Sequence, residues 1–313
     1  MTLVSVALGL ALPGVAQAAV TRPTVTTKAA SNVAQSTAQL NGAVNPNGAD
    51  TTYFFQIGTT SLYGINSPET AAGKGTKTVN VSAPVDQLAP ATTYHFRIVA
   101  KNAKGLSKGK DRTFKTQRQP LGLALSPMAN PITFNASTTL TGQLSGTGNG
   151  GQQVVLQYNA YPYDKGFANA GNPLVTNADG TFSFPLINQT LNTQFRVLMP
   201  QKPAVVSPIV SLGVMVGVHT KARPTRVRRG HRVRFSGTIA PAADGQQVVI
   251  QRYLHKQWVQ VAKTVARHVD GASSSYRRRV KVRHGGRYRV LVNVTDGAHV
   301  SNAGRIVRVR LRH

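Results

Sequence analysis

An internal duplication is the feature that most constrains the fold of this 313-residue chain. Three pairs of short segments match at offsets of 93 to 95 residues: GQQVV at 151–155 and 245–249, FRVL at 195–198 and YRVL at 288–291, and Thr141-Gly142 and Ser236-Gly237. Nearly equal offsets indicate a tandem repeat of about a hundred residues. We therefore predict repeats at 119–213 and 214–313, preceded by a different unit at 20–118.

Short alternating runs predict that all three units are built from β-strands. The runs are TTYFFQIG, TYHFRIVA, QQVVLQY, QQVVIQRY and YRVLVNV, and turn signals such as NPNG, NADG, PAADG and RHGG separate them. Alternation of apolar and polar residues is typical of half-buried strands, and no stretch keeps a helical period. We expect an all-β chain of tandem antiparallel β-sandwiches, with two short strands in 204–218 at a domain boundary.

The first unit resembles a fibronectin type III domain. LAPATTYHFRIVAKNAKGLSKG at 88–109 follows that family's Leu-x-Pro-x-Thr-x-Tyr-x-x-Arg-x-x-Ala-x-Asn-x-x-Gly pattern. The resemblance implies a tyrosine corner built from Leu88 and Tyr94, with the tyrosine hydroxyl bonded back to the turn before strand F. The segment around Leu40 lacks the tryptophan that many members bury, and the chain has no Arg-Gly-Asp triplet to support integrin-type adhesion.

The second and third units resemble bacterial immunoglobulin-like repeats. In the third unit the resemblance rests on the PAADG turn, the QQVVIQRY strand, a Trp-x-x-Val turn and the Tyr-Arg start of strand F. It implies sandwiches of the kind that serve as spacers, adhesins or carbohydrate-binding platforms, and the fold alone does not select among these uses.

The N-terminus predicts export. Residues 1–19 combine an apolar run, a Pro-Gly break and the small-x-small triplet Ala16-Gln17-Ala18, which is typical of a signal peptide, although the usual basic start is missing. No later segment is predicted to span a membrane, and the chain has no cysteine. We expect a bacterial protein that is secreted to the cell envelope or the extracellular space, and a monomer.

Catalytic, metal and cofactor sites are not expected. The chain has one glutamate, Glu69, and eight aspartates, too few to pair carboxylates in a pocket. Asp179 lies in NADG, where it supports a turn. Seven of the eight histidines lie in the third unit, without the spacing of a metal site, so we interpret them as solvated loop residues. We therefore predict that the chain is not an enzyme.

The segment YNAYPYDKGF at 158–167 concentrates aromatic residues beside polar ones. Sugar rings stack on aromatic faces of this kind, so Tyr161 and Tyr163 are candidate glycan contacts. The alternative is that Tyr158 and one other ring pack in the core while the rest border a loop.

Positive charge is concentrated in the third unit. The whole chain carries +28, of which residues 20–118 hold +8, residues 119–218 hold +1 and residues 219–313 hold +19. Basic and apolar residues alternate on both sides of the His-Gly-Gly turn in YRRRVKVRHGGRYRV at 276–290, and within 276–283 only Arg278 breaks the alternation. Because successive strand residues point to opposite faces, we expect a buried valine and aromatic row and an exposed basic row.

Strands E and F belong to different sheets in the resembled families, so the basic rows are predicted to lie on two outer faces. The first would carry Arg232, Arg234, Arg277, Arg279, Lys281 and Arg283; the second would carry Arg287, Arg289, Arg308, Arg310 and Arg312. With no aromatic residues interleaved, these rows suit contact with an anionic wall polymer or extracellular DNA, and not the reading of a nucleic-acid sequence. The alternative explanation for the basic residues is that they keep the protein soluble and reflect a genome bias toward arginine codons.

Together these features predict a non-enzymatic protein for adhesion, spacing or surface association, with the basic third unit contacting anionic polymers. The alternatives are a carbohydrate-binding module, and accessory domains of an extracellular enzyme system.

Overall fold

A computed structural model describes residues 19–312, so almost all of the predicted signal peptide lies outside the described residues. The chain divides into two compact units, Met1–Gln119 and Pro120–His313. The first unit has one hydrophobic core, and the second unit contains two separate cores. The described residues are all strands and loops, which confirms the prediction of an all-β chain of tandem antiparallel sandwiches.

The strands of the first unit are β1 (Thr24–Ser31), β2 (Ala38–Asn45), β3 (Thr51–Gly58), β4 (Ile65–Asn66), β5 (Thr70–Gly73), β6 (Val79–Val85), β7 (Thr93–Asn102), β8 (Gly105–Lys108) and β9 (Arg112–Lys115). They form a sandwich of two sheets, ordered β1-β2-β6 and β4-β3-β7-β8. In the second sheet β5 pairs with β3, and β9 pairs with β7. Leu40, Phe55, Phe96 and Ile98 are completely buried between the sheets.

The strands of the second sandwich are β10 (Gly122–Pro127), β11 (Ile132–Thr133), β12 (Ala136–Ser145), β13 (Gln153–Ala160), β14 (Ala168–Asn169), β15 (Leu174–Val175), β16 (Thr181–Gln189), β17 (Thr193–Met199), β18 (Val205–Val206), β19 (Val210–Leu212) and β20 (Val214–Met215). Its two main sheets are ordered β10-β12-β16 and β14-β13-β17-β18, and in the second sheet β15 pairs with β13 and β19 with β17. Strands β11 and β20 form a short parallel pair.

The strands of the third sandwich are β21 (Gly217–Val218), β22 (Lys221–Arg223), β23 (Arg226–Val227), β24 (Arg232–Ala240), β25 (Gln247–Leu254), β26 (Gln257–Val265), β27 (Arg267–Asp270), β28 (Ser273–Lys281), β29 (Gly286–Asn293), β30 (Asn302–Ala303) and β31 (Val307–Leu311). Its sheets are ordered β21-β24-β28-β27 and β23-β31-β29-β25-β26. Strand β22 pairs with β24 in the first sheet, and β30 pairs with β29 in the second.

The segment at 204–218 forms β18 to β21, four short strands where two were predicted, because Pro208 and Gly213 interrupt the pairing. Val214 packs in the core of the second sandwich and Val216 in the core of the third. The chain therefore passes from one core to the next within three residues.

A glycine at the same place on β12 and β24 explains one of the duplicated pairs, Thr141-Gly142 and Ser236-Gly237. Gly142 lies opposite Phe182, and Gly237 lies opposite Tyr276, on the neighbouring strand. A methyl group at either glycine would overlap that aromatic side chain or the adjacent backbone. Glycine is required here because the ring crosses directly over the strand.

The alternation in the third sandwich is confirmed. Tyr276, Val280, Val282, Tyr288 and Val290 are all at most 6% exposed, while the basic residues between them face outward or lie at the rim. β28 and β29 lie in different sheets, which confirms the predicted crossing between strands E and F. The hydroxyl of Tyr288 donates to the His284 carbonyl across this corner at 2.9 Å.

Candidate anion-binding site

Three arginines lie side by side across one sheet of the third sandwich. Arg223 on β22 is directly opposite Arg234 on β24, and Arg234 is directly opposite Arg279 on β28. All three side chains are exposed. Neighbouring strands are about 4.8 Å apart, and like charges directly opposite each other destabilise a sheet. We call these residues the arginine row.

The arginine row borders a cleft of about 810 Å³. Its lining residues are Ala222, Arg223, Pro224, Thr225, Arg226, Arg232, Arg234, Arg279 and Arg312. The chain changes sheets here, because β22 pairs with β24 in one sheet and β23 pairs with β31 in the other. Arg312 follows β31, so the cleft collects guanidinium groups from both sheets. We call it the arginine cleft.

The aspartates of the third sandwich do not neutralise this cleft. Asp244 accepts hydrogen bonds from Ser274 and His268, Asp270 accepts from Ala272 and Ser273, and Asp296 accepts from His299. The Ser274 hydroxyl contributes most to lowering the pKa of Asp244 below its usual value. Within residues 19–312 no acidic side chain forms an ion pair with a cleft arginine. The positive field is therefore available to an external anion.

The second sandwich shows that the fold does not require the arginine row. Its corresponding sheet has the same register, with Thr139 opposite Pro185 and Met128 bonded to the other side of Thr139. At these three positions the second sandwich has Met128, Thr139 and Pro185, and the third sandwich has three arginines. The third sandwich therefore carries a like-charge repulsion that the second sandwich lacks.

Arg289 on the opposite sheet has a structural role. Its Nε donates to Gln251 Oε1 at 2.7 Å, and its guanidinium lies 4.5 Å from the centre of the Trp258 ring. The same arrangement of strand F arginine, strand C glutamine and aromatic ring recurs in the other sandwiches as Arg97 with Gln56 and Tyr63, and as Arg196 with Gln157 and Phe167. The group belongs to the shared architecture, including that of the nearly neutral second sandwich.

Aromatic rings do interleave the basic residues on this second face, contrary to the prediction from the sequence. Arg287 lies 4.1 Å from the centre of the Tyr253 ring, and Tyr253 meets Trp258 edge to face at 5.1 Å. The rings come from β25 and β26, distant in sequence from the arginines of β29, so the local pattern could not reveal them. The rings hold the arginine side chains in place.

The remaining predicted polyanion contacts are distributed around the same sandwich. Arg277 and Lys281 are exposed on β28, Arg283 lies in the corner after it, and Arg308 and Arg310 are exposed on β31. The structure brings Arg312 together with Arg232, Arg234 and Arg279 in the arginine cleft, although the sequence placed it on the other face. Arg223 and Arg226 were missed, because their strands are only two or three residues long and Pro224 separates them.

The aromatic segment at 158–167 borders the third sandwich. Tyr161 is half-buried, and a methyl group on Gly297 would come within 2.8 Å of its ring. Tyr163 meets Tyr161 edge to face at 5.7 Å, and burial raises the pKa of Tyr163. Tyr158 is 40% exposed, so the interpretation that it packs in the core is wrong: it lies at the open end of the sandwich.

Several other predicted sites have clear local geometry. The Tyr94 hydroxyl accepts a hydrogen bond from the Ala89 amide at 2.9 Å, while Leu88 and Tyr94 are buried. Asp179 accepts from the amide and hydroxyl of Thr181 across its turn.

His299 is not solvated as predicted, because its side chain is only 9% exposed. The described residues contain no group of three potential metal ligands and no helix long and apolar enough to span a bilayer.

The solved structures that match this chain do so at low sequence identity and low TM-scores. No protein-family model and no curated protein matches the chain. A sensor domain of the anti-sigma factor RsgI4 from Pseudobacteroides cellulosolvens matches 32% of this chain and 98% of that one, at 19% identity and a TM-score of 0.27. Three fibronectin domains of chicken CNTN1 match 92% and 97%, at 15% identity and a TM-score of 0.31. Three titin domains match 93% and 99%, at 12% identity and a TM-score of 0.37.

Proposed function

We propose that this chain is a non-enzymatic extracellular or cell-envelope protein that acts in adhesion, spacing or surface association. In this proposal the third sandwich binds anionic polymers, and the first two carry and space it. The arginine row is the observation that carries the proposal. Among the described residues these three adjacent arginines have no acidic partner, and the sister repeat has Met128, Thr139 and Pro185 at the same positions.

The arginine cleft suits phosphate or carboxylate groups of a polymer. Guanidinium groups offer paired N–H donors that match both kinds of anion, and the cleft gathers them from two sheets. The proposed ligand is therefore recognised by charge along its backbone. Export is supported by the apolar segment with a small-x-small triplet at the N-terminus.

The test measures how binding depends on salt. A single-stranded oligonucleotide of mixed sequence serves as a polyphosphate probe for the full chain and for the variant R223M/R234T/R279S. For single strands, log Kd changes with log salt by about 0.7 per phosphate contact, so the variant should lose about 2 from the slope. The matched control K74Q/K77Q/K108Q removes three exposed charges from the first unit and should keep the wild-type slope. Equal slopes for the two variants would disprove the proposal.

A further inference from the structure

A loop of the third sandwich docks onto the second sandwich through backbone hydrogen bonds. The Asn192 amide donates to the Ala298 carbonyl at 2.8 Å, and the Asn192 side chain donates to the Gly297 carbonyl at 2.9 Å. Val300 donates to Val214 at 2.8 Å and accepts from Val216 at 3.1 Å. The loop at 295–301, between β29 and β30, therefore forms a joint between the two sandwiches.

His299 lies inside this joint with an acceptor at each ring nitrogen. Nδ1 is 2.7 Å from Asp296 Oδ2, and Nε2 is 2.9 Å from the Thr190 carbonyl oxygen. A carboxylate and a carbonyl can only accept, whereas a neutral imidazole has a single N–H. Both hydrogen bonds can therefore form together only when His299 is a doubly protonated imidazolium.

Groups from both sandwiches face His299. Its own loop presents the Asp296 carboxylate, and the second sandwich presents the Thr190 carbonyl and the Phe134 ring, whose centre is 6.1 Å away. Burial alone would raise the pKa of Asp296, but hydrogen bonds from the His299 side chain and backbone outweigh it and lower that pKa. The carboxylate that faces His299 is therefore charged at neutral pH.

We propose that His299 is a proton-controlled clasp between the second and third sandwiches. Protonated, it links the Asp296 carboxylate of its own loop to the Thr190 carbonyl of the neighbouring sandwich. When the ring loses its proton as the pH rises, one of these hydrogen bonds must break, because one ring nitrogen becomes an acceptor facing an acceptor. The joint therefore tightens in acid and loosens in base, and this changes how firmly the basic third sandwich is held to its neighbour.

The experiment is hydrogen exchange of the full chain at about pH 5.5 and about pH 8, corrected for intrinsic rates. The amides of Asn192, Val216 and Val300 report on the joint, because each bonds across it or beside it. A charge-assisted hydrogen bond contributes about 1.5–3 kcal/mol, so we expect the protection of these amides to fall by about tenfold to a hundredfold at the higher pH. The amides of the arginine row should not change.

Two variants separate the clasp from general effects of pH. H299Q keeps one side-chain donor but cannot titrate, so its joint protection should be independent of pH. H268N removes a comparable pair, because His268 Nδ1 lies 2.8 Å from Asp244 Oδ2 within the third sandwich, and it should behave as the wild type. Equal corrected protection of the wild type at both pH values would overturn the proposal, as would a neutral His299 ring in its NMR spectrum at about pH 5.5. The exchange protection and the NMR spectrum are both measured on the wild-type protein, so both tests remain valid if H299Q folds poorly.

Discussion

Arg234 and Arg279 lie directly opposite each other on antiparallel strands, and within the described residues neither is paired with an acidic group. Directly opposed like charges are destabilising, by an amount that we take to be comparable with the roughly 0.2–1 kcal/mol that favourable cross-strand pairs contribute. R234T places the corresponding residue of the second sandwich, Thr139, at this position. We expect it to raise the free energy of unfolding by up to about 1 kcal/mol at low salt and to have little effect at about 1 M salt, where the Debye length is about 3 Å.

Urea unfolding followed by the fluorescence of Trp258, the single tryptophan of the chain, measures this effect in the third sandwich itself. R277S is the control, because Arg277 is exposed on the same strand but lies opposite Ser236 and not opposite another arginine. It should change stability less than R234T. A gain for R234T that is equally large at high salt would show that repulsion is not its cause.

Arg289 should be needed for stability and not for anion binding. Its loss removes a hydrogen bond to Gln251 and a stacking contact with Trp258. R289A is therefore expected to lower the free energy of unfolding by about 1–2 kcal/mol and to leave the salt dependence of binding nearly unchanged. Circular dichroism follows its unfolding, since the change alters the surroundings of the tryptophan.

R308A is the matched comparison for R289A. Arg308 lies opposite Arg287, so its removal relieves repulsion and should not lower stability. If R289A reduced the salt slope as strongly as R223M/R234T/R279S does, the distinction between structural and ligand-binding arginines would fail.

The sequence predicted the fold well because the fold depends on local alternation. Strand parity placed Val280, Val282 and Tyr288 in the core correctly, and the resemblance to known sandwiches assigned β28 and β29 to different sheets. The sequence could not predict which strands pair, or in which register. The alignment of Arg223 with Arg234 and Arg279 was therefore not predicted. Register depends on contacts between segments more than ten residues apart, which no single strand contains.

The errors have the same physical origin. The rings that stack on Arg287 and Arg289 come from strands about thirty residues away, and His299 is buried by a loop of another sandwich. Local sequence describes a loop histidine correctly as polar, but burial of the ring depends on what docks onto the loop. Tertiary partners therefore decided both of these features.

Tyr276 predicts a specific loss of stability in alkali. Burial raises the pKa of Tyr276 from 10.0 to about 12, while its hydroxyl bonds to the His219 carbonyl at 3.0 Å and to Thr220 Oγ1 at 2.8 Å. Because the folded state holds the proton more tightly than the unfolded chain does, this stabilisation is complete below pH 10 and is lost as the pH rises through about 12.

Y276F tests that linkage. At neutral pH it should be less stable than the wild type by about 1–2 kcal/mol, because the His219 carbonyl loses its donor. Between pH 10 and 12 the difference should shrink, since only the wild type has this proton to lose. Stability is compared as the difference between the two proteins, so the titration of lysines and other tyrosines cancels. A difference that stays constant over this range would contradict the raised pKa.

Y94F should destabilise the first unit through the loss of one partly buried hydrogen bond. The Tyr94 hydroxyl accepts from the Ala89 amide, and in the variant this amide has lost its partner. The expected cost is about 0.5–1.5 kcal/mol in the free energy of unfolding. Y63F is the control, because the Tyr63 hydroxyl donates to the exposed carboxylate of Asp111, and its loss should cost less. Equal effects of the two changes would argue against a tyrosine corner.

Gly297 should be required for the joint between the second and third sandwiches, independently of His299. Its φ of +72° favours glycine, and a methyl group would come within 2.8 Å of the Tyr161 ring. G297A is therefore expected to weaken the joint by about 1–3 kcal/mol, lowering the exchange protection of the Asn192 and Val300 amides at every pH. G271A is the control, since no atom lies within 4 Å of the corresponding position and its φ is ordinary. Because G297A disturbs packing without removing the histidine, any remaining protection should still fall as the pH rises; full wild-type protection in G297A would show that the Tyr161 contact does not constrain the loop.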